Sequence, residues 1–248
     1  VEVFYIALEP GLESLLGYWV DRGLKVPDNL HWHIVKSPDA SFTELLDTAT
    51  KINTMSLEML SKIQDVNRSK YNQFRSLYEV LNNFVDQRNG QAYGSVDKFD
   101  TSRAVVIDGL TGINTASMLS VIGGKPVRSM PDWGLAQQQV ETLLSKLTNN
   151  MRCHFIMLAH VEREKDEVLG GIKLMVSTLG QKLAPKIPAM FSDVILCVRE
   201  GAKWKWDTAN PMADLKTRNL PVSQDLQPSF KPIMDKWRAR YAAIRPAS

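Results

Sequence analysis

The hydrophobic pattern divides the chain into alternating strand-like and helix-like segments. Residues 3–8, Val-Phe-Tyr-Ile-Ala-Leu, form an unbroken apolar run that predicts a buried strand and leads into Glu9-Pro10-Gly11. A helix is expected over 12–22, ended by Gly23, and a second short strand over 30–35. Ser41-Phe-Thr-Glu44 has the spacing of a capping box. It opens a helical region reaching about Gln87, interrupted by polar residues between Gln64 and Gln73. A polar loop over 89–101 precedes a strand over 103–107, whose β-branched run suits a parallel sheet covered on both faces. Residues 115–132, with Gly123-Gly124 inside them, predict irregular chain or a short helix. An amphipathic helix over 133–149 and a buried strand over 153–159, ending at His160, come next. The charged, glycine-punctuated stretch 161–188 reads as a loop. Residues 192–198 and 203–207 read as an antiparallel pair, and 213–217 as a last short strand. This alternation predicts an α/β fold, a three-layer arrangement around a mostly parallel sheet with a C-terminal antiparallel hairpin.

Composition narrows the class without naming a chemistry. At 248 residues the chain is one large domain or a domain with appendages. The pattern predicts a core over 1–219 and a basic extension over 220–248, where Trp237 and Tyr241 suggest a helix with an aromatic face. No run of 18 apolar residues exists, so no membrane partner is expected. The net charge of +3 is too small to announce a nucleic-acid partner by itself. Cys153 and Cys197 lie in apolar runs and read as buried free thiols of a reducing, cytoplasmic compartment. His31-x-His33 has no cysteine or acid cluster beside it and reads as part of a strand.

The candidate chemistry sits at strand tips. Ala104-Val-Val-Ile107 runs into Asp108, as a strand does whose acid ligates the water shell of Mg²⁺, although Asp often simply ends a strand. Glu9 ends the first strand, where a carboxylate can polarise a water, or can merely favour a helix N-terminus. His160 ends the third buried strand and can sense a phosphate, or be an exposed loop histidine. Lys216-Thr-Arg218 puts two cations on one face of a strand, able to stabilise charge on a transferring phosphate or simply to be solvated.

The order of these features resembles the RecA-like P-loop ATPase core of the AAA/RecA type, and within it the phage-encoded ATPases related to single-strand recombination proteins. The resemblance runs from Val3 to about Asn219. It matches Ile6-Ala-Leu-Glu9-Pro-Gly to the catalytic glutamate strand and Val105-Val-Ile-Asp108-Gly-Leu-Thr111 to Walker B. It matches Phe155-Ile-Met-Leu-Ala-His160 to the sensor strand and Asp214-Leu-Lys216-Thr-Arg218 to interface cations that act in a neighbouring subunit. Pro131-Asp-Trp-Gly134, Leu179-Gly180 and Phe191-Ser-Asp-Val194 are similar to the phage branch. The resemblance implies ATP and Mg²⁺ as cofactors. It gives Glu9, His160, Lys216 and Arg218 catalytic roles, Asp108 the metal through water, and Thr111 the nucleotide. Two departures stand out. No G-x-x-x-x-G-K-[ST] phosphate loop occurs in the sequence, and the family's loop, strand and helix are expected ahead of Val1. Gly109 also stands where the family often has Ser after the Walker B Asp.

The resemblance further implies single-stranded DNA and a ring or filament of identical subunits as partners, in the cytoplasm of a bacterial host. Two loops, 114–132 and 161–182, would touch DNA through Lys125, Arg128, Arg163, Lys165, Lys173 and Lys182, diluted by Glu162, Glu164, Asp166 and Glu167. The expected function is an ATP-dependent, DNA-handling ATPase of phage-type recombination or replication. The alternatives are a non-catalytic structural or interaction protein on the same fold, and a helicase-type motor.

Overall fold

A computed structural model describes residues 1–37, 40–64, 70–165, 170–180 and 182–244, with side chains as far as Arg240. Of the predicted features, Asp166, Glu167, the Tyr241 side chain and part of the break between Gln64 and Gln73 lie outside the described residues. The chain forms two compact units. The first is Val1–His160 with Ser177–Gly180, and the second is Val161–Val176 with Gln181–Ser248.

The first unit is α/β. Its sheet has four parallel strands in the order β2-β1-β5-β6, namely Leu30–Ile34, Glu2–Ala7, Arg103–Asp108 and His154–Leu158. In register, Tyr5 lies beside Trp32 and Val106, and Ala7 beside Ile34 and Asp108. Side chains alternate across a strand, so Tyr5, Ala7, Val106 and Asp108 share one face. Helix α1 (Leu12–Val20) covers that face, packing Leu12, Leu15, Leu16 and Trp19 around Tyr5, Ala7, Leu30 and Trp32. On the opposite face the Phe4 ring meets Phe84, Tyr93 and Phe99 with centroids 4.5–5.0 Å apart. Those rings come from a small antiparallel hairpin, β3 (Phe84–Val85) with β4 (Ala92–Gly94), and from the 3-10 turn that precedes β5. A buried pair ties the same region together. His31 Nδ1 is 2.9 Å from Asp86 Oδ2, and Asp86 Oδ1 accepts the backbone N–H groups of Arg88 (2.9 Å) and Trp32 (3.4 Å).

Helices α2 (Phe42–Thr54), α3 (Leu57–Lys62) and α4 (Gln73–Asn82) occupy the region read as helical. The capping box forms as predicted, with Ser41 N–H donating to Glu44 Oε2 at 3.0 Å and Glu44 N–H to Ser41 Oγ at 3.3 Å. Residues 84–85, expected to be helical, are strand instead, because two-residue pairings leave no period to read. The segment 115–132, read as irregular chain or a short helix, is a correction of a larger kind, being mostly parts of two long helices. Helix α5 runs Leu110–Ile122 and α6 runs Met130–Asn149, leaving only 123–129 between them. Leu110, Ile113, Ala116, Met118, Val121 and Ile122 of α5 are all buried. A helix buried around most of its circumference, with Thr115 alone exposed, shows no clear amphipathic stripe, and the Gly-Gly that suggested a loop falls at its end, where Gly123 has φ 61°.

The second unit holds two antiparallel hairpins. The stretch read as a charged loop is strand β7 (Val161–Lys165) paired with β8 (Ile172–Val176). Val161-Glu-Arg-Glu-Lys165 lacks apolar alternation because four of its five residues are exposed, so its strand character was hidden by charge. The predicted hairpin is present as β9 (Leu196–Glu200) and β10 (Lys203–Asp207), standing as a separate two-stranded sheet. Residues 213–217 make single bridges at Ala213 and Lys216 and no strand. A short helix α7 (Ile187–Met190) and helix α8 (Lys231–Ile244) complete the unit, the latter as expected for the extension. Among the described residues no helix is long and apolar enough to cross a membrane. Both cysteines are free, and burial pushes the half-buried Cys153 thiol up to about 11.

Candidate functional site at the carboxyl ends of β1 and β5

Sheet order locates the site before any side chain is considered. From β1 the chain goes to β2 on one side, and β5 lies on the other side of β1. The winding therefore reverses between β1 and β5. In open parallel sheets ligands bind in the crevice outside the carboxyl ends of the strands at such a reversal. Glu9 follows β1 there, Asp108 ends β5, and His160 follows β6.

The structure brings these three together with groups the sequence had not pointed to. The Tyr5 hydroxyl donates to Asp108 Oδ2. The register explains it: Tyr5 lies beside Val106, one residue pair below Asp108 on the same face, a diagonal that an aromatic side chain spans. Burial, then the hydrogen bond to Asp108, then the charges of Asp108 and Glu9, raise the Tyr5 phenol well above its ordinary pKa, so it remains a donor. Glu9 Oε1 accepts the backbone N–H of Gly112 at 2.5 Å, in the first turn of α5. Glu9 Oε2 is 3.2 Å from His160 Nε2. The Glu9 side chain is 22 % exposed and that of His160 74 %, so the imidazole forms the open rim of the site and the carboxylate its floor.

Glycines make room for this. A Cβ on Gly112 would lie 2.8 Å from Leu8 Cβ and 3.1 Å from Glu9 Cγ, and one on Gly11 would lie 2.8 Å from Asp108 Oδ2. Gly112 carried no readable signal in the sequence, because the helix that holds it was itself not legible. Other contacts fix the strand ends. Gln73, buried at the start of α4, donates to the carbonyls of Leu8 (3.5 Å) and Val35 (3.0 Å). The His160 carbonyl accepts from Ser177 N–H at 2.9 Å.

The remaining predicted residues fall in different settings. Thr111, in the first turn of α5, has a buried hydroxyl with no hydrogen-bond partner among the described residues. Lys125 is committed inside the first unit, 3.0 Å from Asp132, with both side chains under 20 % exposed. Hydrogen bonds from Ser129 and the Lys125 cation hold the Asp132 carboxyl down at about 2. Arg128 lies over the Trp133 ring at 5.3 Å. In the second unit Arg163, Lys165 and Lys182 are exposed, and Lys173 pairs with Asp214 at 2.9 Å. Lys216 Nζ donates to the Ala189 carbonyl at 3.2 Å. The backbone of Arg218 is held between Asp193 and Arg240, its N–H donating to one and its carbonyl accepting from the other.

Among the described residues no group of three or more His, Cys, Asp and Glu side chains is arranged to enclose a metal ion. Mg²⁺ is held in nucleotide enzymes by one or two carboxylates, with waters and phosphate oxygens completing the octahedron. By residue type, Asp108 and the Thr111 hydroxyl, which has no hydrogen-bond partner among the described residues, are compatible with that mode.

No protein-family model, no curated protein and no solved structure matches this chain.

Proposed function

We propose that this chain carries the hydrolytic centre of a RecA-like, three-layer ATPase that handles DNA. The observation that carries the proposal is the convergence of Glu9, Asp108 and His160 at the point where the sheet's winding reverses. Glu9 is the residue that orients the attacking water. One of its oxygens is fixed by the N–H of Gly112 at a helix start, leaving the other aimed toward His160 and the rim. His160, exposed and in contact with that oxygen, is placed to report whether the terminal phosphate is present. Asp108 and Thr111 would hold Mg²⁺ through its water shell, and the ion when bound would neutralise charge on the phosphate oxygens. Tyr5 fixes the Asp108 carboxylate without cancelling its charge.

A phosphate-cradling segment is also required, and β6 is where it fits. His-Phe-Ile-Met-Leu is a near-continuous apolar strand of the type found inside parallel sheets, yet β6 is the end strand of this sheet among the described residues. A further parallel strand on its outer edge would bring a phosphate loop beside His160 and Asp108. Lys216 and Arg218 complete the proposal as cations serving the site of a neighbouring subunit in a ring or filament. Arg163, Lys165 and Lys182 are its exposed DNA-facing cations.

The test uses the full-length protein. Glu9→Gln keeps nucleotide affinity and lowers the hydrolysis rate at least 100-fold, as expected for loss of the group that positions the water. Turnover by that variant at the wild-type rate would remove Glu9 from the role. Nucleotide binding with no turnover by the wild type would favour a non-catalytic protein on the same fold.

A further inference from the structure

The β9–β10 hairpin carries an exposed tryptophan that folding does not use. Trp204 is 60 % exposed, whereas Trp206, two residues on and on the same face, is 7 % exposed. Trp206 accounts for the anchoring. Its ring meets Phe230 edge-on at 5.0 Å, and its backbone exchanges hydrogen bonds with Leu226 at 2.8 and 3.0 Å. The next residue but one, Thr208, is bonded to Pro221 and Ser223. The hairpin is thus pinned at its base, and Trp204 stands between that base and the turn.

The partner of Trp204 across the hairpin is Arg199. The guanidinium carbon lies 5.9 Å from the centroid of the indole. Arg199 Nε donates to the Gly201 carbonyl at 3.0 Å, which orients the guanidinium and leaves its terminal amino groups for another acceptor. On the other face are Lys203, exposed, and Lys205, paired with Glu200 at 2.7 Å. One guanidinium therefore flanks an open aromatic ring on a rigid support, while Lys203 and the Lys205–Glu200 pair lie on the opposite face.

We propose that Trp204 and Arg199 form a stacking platform for the bases of single-stranded DNA, with the Arg199 guanidinium contacting a flanking phosphate. Proteins that bind single strands without reading sequence combine a cationic track with aromatic rings on which bases stack. An apolar partner surface would favour Trp204 but not the guanidinium beside it, and a duplex offers phosphates but no open base faces. The proposal rests on the DNA-binding part of the function proposed above and not on hydrolysis.

The experiment measures binding of fluorescein-labelled dT15 to the full-length protein by fluorescence anisotropy, over a range of salt concentrations and without nucleotide. Trp204→Ala weakens binding about 5- to 150-fold, the span for loss of one stacked base, and leaves the salt slope unchanged. Trp204→Phe restores most of the affinity. Arg199→Ala lowers the magnitude of the salt slope by about 0.7, the contribution of one phosphate contact on a single strand. Wild-type affinity in Trp204→Ala would overturn the platform while leaving DNA binding by other residues intact. No binding of dT15 by the wild type would overturn both. Loss of a co-purifying protein on Trp204→Ala, with dT15 affinity unchanged, would assign the ring to a protein partner and equally overturn the proposal. Trp204→Ala is expected to fold, since the ring is mostly in water, and Arg199→Ala provides a second reading that leaves the indole in place.

Discussion

Two glycines in neighbouring helices should respond oppositely to the same substitution. Gly134 lies in α6 with nothing within 4 Å of where a Cβ would go. Alanine there gains helix propensity alone, about 1 kcal/mol. Gly112 lies in α5, and an added Cβ would meet Leu8 Cβ at 2.8 Å and Glu9 Cγ at 3.1 Å. Carbon atoms in contact sit about 3.5–4.0 Å apart, so the first of these is a true overlap with a group close to the backbone. Overpacking of this kind costs about 1–3 kcal/mol. Set against the same propensity gain of about 1 kcal/mol, Gly112→Ala is expected to lose about 1 kcal/mol. The two variants should therefore differ by about 2 kcal/mol, with opposite signs relative to the wild type. Urea unfolding compares the midpoints at constant slope, so that a change in midpoint reads as a change in stability. If Gly112→Ala gains as much as Gly134→Ala, the approach of α5 to the Leu8–Glu9 segment is not as tight as described. The Glu9 carboxylate would then not be seated on the Gly112 N–H, because that hydrogen bond needs the same approach.

Asp86→Ala removes a fully buried carboxylate that serves His31, Trp32 and Arg88 at once, and is expected to cost about 3–5 kcal/mol in urea unfolding. A loss under about 1 kcal/mol would contradict the His31–Asp86 pair as a structural tie. Asp132 has its folded pKa held at about 2, below the ordinary carboxyl value, so its contribution is present above about pH 4 and is lost as pH falls toward 2. Asp132→Ala should therefore be less stable than the wild type by about 1 kcal/mol at pH 7, the value of a helix-capping group, with the gap closing between pH 4 and pH 2. A gap that persists at pH 2 would assign the loss to packing.

What could be read from the sequence follows from what local pattern encodes. The acid-tipped strands were legible because a continuous apolar run ending in a charge needs no knowledge of neighbours. The capping box at Ser41 was legible because its two hydrogen bonds are local. Helix α5 was not, since burial around most of its circumference leaves too narrow a polar stripe to mark a helix. Strand β7 was not, since a mostly exposed, charged strand has no apolar face to alternate. Tyr5 was passed over as one more apolar position of β1. Its contact with Asp108 depends on the pairing register of strands about a hundred residues apart, and pattern within either strand carries no information about that register. Lys125 looked like a free cation for DNA, and only the folded chain brings Asp132 onto it.

The way the two carboxylates are held bears on what the site can attract. Glu9 and Asp108 end neighbouring parallel strands, and such a pair needs stabilising contacts if both are to stay there. A structural solution would place a lysine or arginine between them, cancelling their charge. Asp108 instead receives a phenol kept in its donating form, and Glu9 receives a backbone N–H at a helix start, with an exposed imidazole at the rim. A neutral donor orients a carboxylate without cancelling its negative charge, and the helix N-terminus supplies only a fraction of a positive charge. The cations of the first unit near a candidate nucleic-acid loop are engaged elsewhere, Lys125 on Asp132 and Arg128 over Trp133. The crevice therefore keeps its electrostatic demand for a cation while its oxygens are already oriented. Under the proposed function that preorganisation would serve a magnesium–nucleotide complex, and a salt bridge at the same place would remove it.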